Sequence, residues 1–264
     1  MKIDLSGKQA LVTGSSSGIG RQIALQLAES GARVIVHGRN RERTQQTADE
    51  IAAAGGTASI VVGDLMKQDE AESVIAEVKS KGGVDILVNN AGGRHGGWAP
   101  GWHGVGWQNW LETYKQNVTS TVTLIDGLVP GMTEKGWGRV IQITSAVAIH
   151  QPPNFPDYQA AKAAEINLSR SLSRSLAGTG VTSNAVSSGI IHTPGSDEEI
   201  TMIAKHAGFE GDWQGHEREI ALNVFRQSVG RIGRPEDIAS VVCFLASEQG
   251  GFVTGVNLIA DGGM

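Results

Sequence analysis

The sequence predicts a single α/β domain spanning residues 1–264, built on a doubly wound, seven-stranded parallel sheet with helices on both faces. Three observations carry that expectation. Short apolar runs alternate with segments of helical spacing along the whole chain, several runs are β-branched and apolar on both faces, and no linker, repeat or low-complexity tract marks a second unit. Composition agrees: 40% of the 264 residues are hydrophobic and 36 are glycine, which suits one large core joined by many tight turns.

The expected strands are 9–13, 33–37, 58–62, 86–89, 139–144, 182–186 and 256–259. The first ends in a glycine-rich turn, Thr13 to Gly20, from which the helical run of Ile19 to Ala28 departs. Further helical segments start at Arg41, Gln68, Trp107, Asp157 and Pro235, each where apolar residues return at helical intervals. Two regions read as irregular, 93–106, rich in glycine and tryptophan, and 193–222 after the sixth strand. Both follow strand ends, where a parallel sheet binds its ligands, so both are expected to build a substrate pocket.

Charge and cysteine usage narrow the partners. A formal net charge of -5 and a pI near 5.8 leave no broad basic surface, which argues against nucleic acid and anionic membrane and for a small molecule. Cys243 is the single cysteine, so no intrachain disulfide is available, and its apolar run 238–245 reads as core. The first residues lack the apolar stretch of a signal peptide and no later segment is long and apolar enough to span a bilayer, so a soluble cytoplasmic protein is expected.

The chemistry gathers at two places. Gly14, Gly18 and Gly20 lie in the first strand-to-helix turn, where glycine permits a tight turn and close approach of a pyrophosphate to the amino end of a helix. Asp64 after the third strand and Asn89-Asn90-Ala91-Gly92 after the fourth add acceptors and small residues along the same edge; each also fits a turn former or cap. Downstream, Tyr158 and Lys162 are one helical turn apart and share a face, thirteen residues after Ser145. A free tyrosine has a pKa of about 10, and a permanent cation beside it favours the phenolate, which brings proton exchange nearer neutral pH.

In this ordered set the chain resembles the short-chain dehydrogenase/reductase family, most like the 3-oxoacyl-[acyl-carrier protein] reductases, over essentially its whole length. The matching residues are Thr13 through Gly20, Asp64, Asn90-Ala91-Gly92, Asn117, Ser145, Tyr158 with Lys162, and Gly189 to Thr193. The resemblance implies a Rossmann fold and a catalytic set of Asn117, Ser145, Tyr158 and Lys162. Tyr158 would protonate the carbonyl oxygen, Ser145 would hydrogen-bond it, Lys162 would lower the tyrosine pKa and bind the nicotinamide ribose, and Asn117 would hold a water. It also implies a cofactor set of Gly14, Ser16, Ser17, Gly18, Ile19, Gly20, Arg39, Asp64, Leu65, Asn90, Ala91, Gly92, Tyr158, Lys162, Gly189, Ile191 and Thr193, with no metal. One departure stands out: Ser188-Gly189 replaces the family's Pro-Gly, which is expected to loosen a turn beside the nicotinamide.

The end of the second strand bears on the cofactor. No acidic residue stands there to accept from the ribose 2′-hydroxyl of NAD; Arg39 instead offers a planar fork suited to the 2′-phosphate of NADP, with Arg41 and Arg43 close by. NADP(H) and reduction of a carbonyl are therefore expected, with an NAD(H)-linked dehydrogenase oxidising an aromatic or steroid-like secondary alcohol as the alternative, and a non-catalytic dinucleotide-binding protein as a more distant one. For substrate, Trp98, Trp102, Trp107 and Trp110 crowd one stretch with His95 and His103; the rings fit a pocket wall or helix and subunit packing equally. The histidines lack zinc-site spacing, and His150 and Phe155 are the expected substrate contacts. The family commonly assembles as a homotetramer, here through the helices bearing Asn117 and Tyr158 and through 235–259. Leu168, Leu172, Leu176, Val242 and Leu245 fit such contacts or the monomer core.

Overall fold

A computed structural model describes residues 3–95 and 101–264. Trp98, one of the aromatic residues expected near the substrate, lies outside them. The strands are β1 (Gln9–Val12), β2 (Arg33–Gly38), β3 (Thr57–Val62), β4 (Ile86–Asn89), β5 (Gly138–Ser145), β6 (Val181–Ser188) and β7 (Asn257–Ala260). All pair in parallel, in the order β3-β2-β1-β4-β5-β6-β7. The helices are α1 (Gly18–Glu29), α2 (Arg41–Ala53), α3 (Gln68–Ser80), α4 (Trp107–Tyr114), α5 (Ser120–Lys135), α6 (Val147–His150), α7 (Pro156–Ser175), α8 (Asp197–His206), α9 (Glu217–Glu219) and α10 (Pro235–Ala246).

The doubly apolar strands follow from burial on both sides. Along β1, Ala10 and Val12 point into one core with Ile23, Leu27, Ile51 and Val242 from α1, α2 and α10, while Leu11 points into the other with Val74, Val78, Leu124 and Leu128 from α3 and α5. The period of two continues in β2 and β4, where Val34, Val36, Ile86 and Val88 share the first face and Ile35 and Leu87 the second. Leu176, Val242 and Leu245 belong to these cores, whereas Leu168 and Leu172 are only partly buried, in a groove between α5 and α7. Cys243 is buried, and burial pushes its thiol up to about 12, as befits a packing residue.

β6 extends beyond its apolar run. Of Val181–Ser188 every residue is buried, although five of the eight are polar, and all of those but Thr182 bond to neighbours through their side chains. Ser187 Oγ meets Thr144 Oγ1 at 2.7 Å and donates to Asn257 Oδ1 at 2.9 Å, and Asn184 Nδ2 donates to Val253 O at 2.8 Å. Ser188 pairs in register with Ser145 and Ala260 and donates its hydroxyl to Thr144 O at 3.2 Å. The turn expected to loosen at Ser188 is instead the last rung of a ladder, secured by a side-chain bond that proline could not make.

Two further differences concern the site. Region 193–222 is not irregular: it folds into α8, a 3-10 turn (Trp213–His216), α9 and a π turn (Ile220–Val224), packed on a small core of Ile200, Ala204, Trp213, Ile220, Phe225 and Ile232. The i, i+4 pair Ile200 and Ala204 supplies the helical stripe, and Trp213 Nε1 anchors it by donating to Asp197 Oδ1 at 3.0 Å. α4 and α5 are one continuous helix with a π turn at Lys115–Thr119, and that wider turn carries Asn117, which is fully buried.

Candidate active site

The sheet order reverses between β1 and β4, so the connections leaving these neighbouring strands diverge and open a cleft. Thr13 joins its two sides: its Oγ1 accepts from Asn90 N and Ala91 N, both at 2.9 Å, while Asn90 Nδ2 donates to Thr13 O at 2.9 Å. Gly14 and Gly18 take φ of 64° and 56°, the left-handed region. Gly20 is required for a different reason: a methyl group there would stand 2.4 Å from Asn90 Nδ2 and 2.5 Å from Gly14 O, so it serves packing beneath the turn. At the amino end of α1, Ser17 caps no amide with its side chain and the first turn holds no acid, leaving the helix terminus open to an anion. Thr193 faces this turn from across the cleft; a methyl on Gly18 would lie 3.6 Å from its Cγ2.

The cleft, about 290 Å³, runs from Gly14, Ser16 and Ser17 past Arg39, Asp64 and Leu65 to Asn90, Ala91 and Gly92. Most of the expected cofactor set thus lines one continuous trough. Ile19, Leu65 and Ile191 turn their side chains into apolar cores, and Gly189 packs against the chain terminus, where a methyl would meet Asp261 Cα at 2.6 Å. Asp64 holds its own turn, accepting from Met66 N at 3.1 Å, and its amide donates to Glu70 Oε2 at 2.7 Å. Arg39 is exposed and its side chain makes no hydrogen bond or ion pair among the described residues. Arg43 lines the cleft with it, whereas Arg41 lies on a separate groove along α2.

His37, missed in the sequence, is the hinge pin of this end. It is 2% exposed; its Nδ1 accepts from Gly14 N at 3.2 Å and its Nε2 lies 3.1 Å from Gly63 O, so the Nε2–H tautomer joins the ends of β1 and β3. Burial lowers its pKa to about 4, against which the Gly63 bond and Asp64 act only in part.

The catalytic candidates gather on α7 where it crosses β5. Pro156 starts the helix, Asp157 accepts from Thr113 Oγ1 on α4 at 2.6 Å, and Tyr158 and Lys162 follow on one face. Lys162 is buried; its Nζ donates to Ile143 O at 3.1 Å and lies 5.7 Å from the centroid of the Tyr158 ring. Burial alone would lower the lysine, but the charges of Glu165 and Tyr158 more than offset it and hold Lys162 above its ordinary range. The Tyr158 hydroxyl is half-buried and makes no hydrogen bond among the described residues, and Ser145 Oγ at the end of β5 accepts only a long 3.4 Å bond from Val147 N. Asn117 binds backbone: Nδ2 donates to Gly93 O at 2.8 Å and Thr113 O at 2.7 Å, and Oδ1 accepts from Gly93 N at 3.0 Å. A methyl on Gly92 would meet Asn117 Oδ1 at 2.6 Å and Lys162 Nζ at 3.3 Å, so the glycine is the gap through which the lysine reaches the cleft.

Phe155, an expected substrate contact, is buried, at φ 57°, under the Arg94 guanidinium 4.1 Å from its ring centroid. Arg94 also pairs with Glu199 of α8 through two bonds of 3.1 and 2.7 Å. His150 is bonded through Nε2 to Asp261 Oδ2 at 2.8 Å, tying α6 to the carboxyl-terminal segment. Trp102 and Trp107 are 69% and 67% exposed, so Trp107 does not pack its own helix, and Trp110 contacts Trp102 at 5.9 Å between centroids. Among the described residues no group of three or more His, Cys, Asp or Glu is placed to hold a metal ion, and no helix is long and apolar enough to cross a membrane.

Comparison with known proteins places this geometry. A family model described as enoyl-(acyl carrier protein) reductase, of the short-chain dehydrogenase type, matches residues 14–264. The 3-oxoacyl-[acyl-carrier-protein] reductase of Aquifex aeolicus is 35% identical over 266 residues, covering 100% of both chains. The chain belongs to the short-chain dehydrogenase/reductase family. Another relative, (2S)-[(R)-hydroxy(phenyl)methyl]succinyl-CoA dehydrogenase subunit BbsD of Thauera aromatica, is 32% identical over 260 residues, 98% of this chain and 97% of that one. Among solved structures, L-sorbose reductase from Gluconobacter frateurii, complexed with NADPH and L-sorbose, superposes with a TM-score of 0.88 at 32% identity, covering 100% of this chain and 98% of the other. The 3-oxoacyl reductase of Agrobacterium tumefaciens C58 with NADP bound gives 0.87 at 33% identity, over 99% and 95%.

For this short-chain dehydrogenase/reductase, His37 makes stability depend on pH. Its folded pKa of about 4 lies below the unfolded value near 6.5, so the unfolded chain binds the extra proton first. The contribution is whole above about pH 6.5 and is lost as pH falls toward 4, amounting to roughly 3 kcal/mol. Denaturant unfolding at both pH values is expected to show His37→Gln losing less stability between them than the wild type, by about that amount. Equal losses would remove His37 from the pH response.

Proposed function

We propose that this oxidoreductase reduces a ketone or 3-oxoacyl-type carbonyl to a secondary alcohol with NADPH. The observation that carries the reading is the buried Lys162 ammonium held 5.7 Å from the Tyr158 ring centroid, with the Tyr158 hydroxyl hydrogen-bonded by none of the described residues. NADPH bound in the cleft would supply the hydride. As negative charge builds on the carbonyl oxygen, the Tyr158 O–H donates a proton to it and the Ser145 O–H donates a hydrogen bond, two converging donors where charge develops. Lys162 favours the phenolate left behind and presents a remaining N–H toward the ribose side through the gap at Gly92. Asn117 donates one amide hydrogen to Gly93 O and the other to Thr113 O, so a water relay from the lysine to solvent would be held by a carbonyl oxygen of this turn.

The trough fits a dinucleotide phosphate. The amino end of α1 suits a pyrophosphate, Asp64 and Leu65 flank the place of an adenine, and the guanidinium forks of Arg39 and Arg43 stand where a 2′-phosphate would lie. The sorbose reductase and 3-oxoacyl reductase structures, solved with NADPH and NADP, support the same choice. Alcohol oxidation is the second reading, favoured by the dehydrogenase of Thauera aromatica; it runs through the same residues with Tyr158 as base. The exposed apolar residues Phe252 and Ile259, and the α5–α7 groove with Leu168 and Leu172, suit a homotetramer of two-fold symmetry, and a small-molecule enzyme in the cytoplasm accords with the acidic surface.

Tyr158→Phe is expected to leave NADPH binding nearly intact and to lower turnover by ~10²- to 10⁴-fold. Nicotinamide absorbance with a ketone and acyl-thioester panel reads it; a variant keeping more than about a tenth of wild-type turnover would sink the general-acid role.

Arg39→Ala should weaken NADPH by roughly 10- to 150-fold and NADH far less, and Arg39→Asp should invert the preference, since a carboxylate repels the phosphate and accepts from a ribose hydroxyl. Fluorescence titration of both cofactors checks this. Equal losses, or a wild type already preferring NADH, would turn the reading to the dehydrogenase.

Light scattering at micromolar concentration is expected to give the mass of four chains. A mass of 27.7 kDa, one chain, would count against the tetramer.

A further inference from the structure

Glu165 lies one turn beyond Lys162 on α7, with 1% of its side chain exposed, and no step of the proposed reaction uses it. Its Oε2 is 2.7 Å from Lys162 Nζ, a close charge contact, and accepts no hydrogen bond of good geometry. Of the three hydrogens of the lysine ammonium one goes to Ile143 O, which leaves two for the Glu165 carboxylate beside it and for the cleft. A carboxylate placed in the interior against the one cation of a catalytic pair changes the charge of the whole cluster.

We propose that Glu165 is the internal counter-ion of Lys162, fixing the direction of its ammonium and keeping Tyr158 in its proton-donating form to higher pH. The inference rests on the reading of Tyr158 as general acid. With Glu165 ionised, the cluster of neutral Tyr158, cationic Lys162 and anionic Glu165 has no net charge, so the next proton to leave the Tyr158–Lys162 pair creates a buried negative charge. Without Glu165 the cluster starts with one positive charge, and loss of a proton neutralises it. Interiors favour the neutral cluster in both cases, so Glu165 raises the pH at which the pair first loses a proton. For a reductase that is the useful direction, because the acid must carry its proton to the carbonyl.

The surrounding charges agree. Lys162 is held above its ordinary range against its own burial, and burial holds Glu165 above the usual carboxylate range although Lys162 draws it down in part; the 2.7 Å approach is that of an ion pair. Among the described residues, the elements around this face carry other titratable groups. Asp157 on α7 accepts from Thr113. Glu112, Tyr114 and Lys115 lie on α4 and its π turn, with Lys115 exposed. His150 on α6 is bonded to Asp261, Arg139 sits at the opposite end of β5 from Ser145, and β6 carries no charged side chain.

The chain contains two tyrosines, Tyr114 and Tyr158, so in a Tyr114→Phe background the ultraviolet absorbance of tyrosinate reports Tyr158 alone. Adding Glu165→Gln is expected to lower the titration midpoint by about one pH unit or more. The alkaline limb of the ketone-reduction pH–rate profile should move down with it. A midpoint that stays or rises, with rates reduced by the same factor at every pH, overturns the proposal and leaves Glu165 a packing residue. If the glutamine variant does not fold, Glu165→Met, apolar and of similar volume, is titrated instead with the same expectation. The titration needs neither substrate nor cofactor. A failed counter-ion role therefore shows there, while a failed general-acid role shows as turnover retained in Tyr158→Phe.

Discussion

The hydroxyl of Thr13 accepts two backbone amides across the switch point of the sheet, and the carboxyl edge is built outward from that junction. A parallel sheet covered on both faces leaves one open rim, and only where neighbouring strands send their connections in opposite directions does the rim open into a trough. Between β1 and β4 the opening must be held apart yet kept rigid. Thr13 and Asn90 do this with backbone partners on both sides, Gly20 lets the turn sit directly on Asn90, and His37 ties the far wall to Gly14 and Gly63. The amino end of α1 is thereby aimed into the trough at a fixed height, which is the geometric condition for reading a pyrophosphate.

The same reliance on buried polar bonds runs to the other end of the rim. β6 is filled with serine, threonine and asparagine, each except Thr182 engaged by a hydrogen bond, and α7 lies across β5 and β6 with Lys162, Glu165 and Ser169 on its inner face. A charged lysine in such a position is costly unless it is fully partnered. Ile143 O and Glu165 provide that partnership, so the ammonium near Tyr158 is a fixed part of the interior.

The sheet was legible in the sequence because its strands are apolar on both faces and its turns are marked by glycine; all seven strands and the main helices fall where these signals place them. At its carboxyl end β6 runs two residues past the expected strand because the apolar criterion stops at Val186, while Ser187 and Ser188 stay in the ladder through hydroxyl bonds that a hydropathy pattern does not register. The 193–222 region was missed as helical since its stripe is short and its core depends on Trp213, distant from α8 in sequence. Of the site, the glycine turn and the Asn117, Ser145, Tyr158 and Lys162 set were legible through order and spacing. His37 and Glu165 were not, because a lone histidine or glutamate carries no signal until its burial is known; Glu165, one turn past Lys162 on the same face, was the one detectable by position.

The two ends of the site are therefore held by interactions of different strength. At the cofactor end the walls are joined by buried backbone hydrogen bonds, whose loss leaves unpaired groups and costs about 1–3 kcal/mol each. At the substrate end, Arg94 with Glu199, Arg94 over Phe155 and His150 with Asp261 join segments far apart in the chain, and Arg94, Glu199 and His150 are each about one-third exposed. Pairs that exposed contribute ~0–1 kcal/mol, so the segments they join can be altered with little effect on folding. The lysine and its carbonyl and carboxylate partners are thus fixed by burial, while Arg94, Glu199 and His150 make contacts the fold can do without.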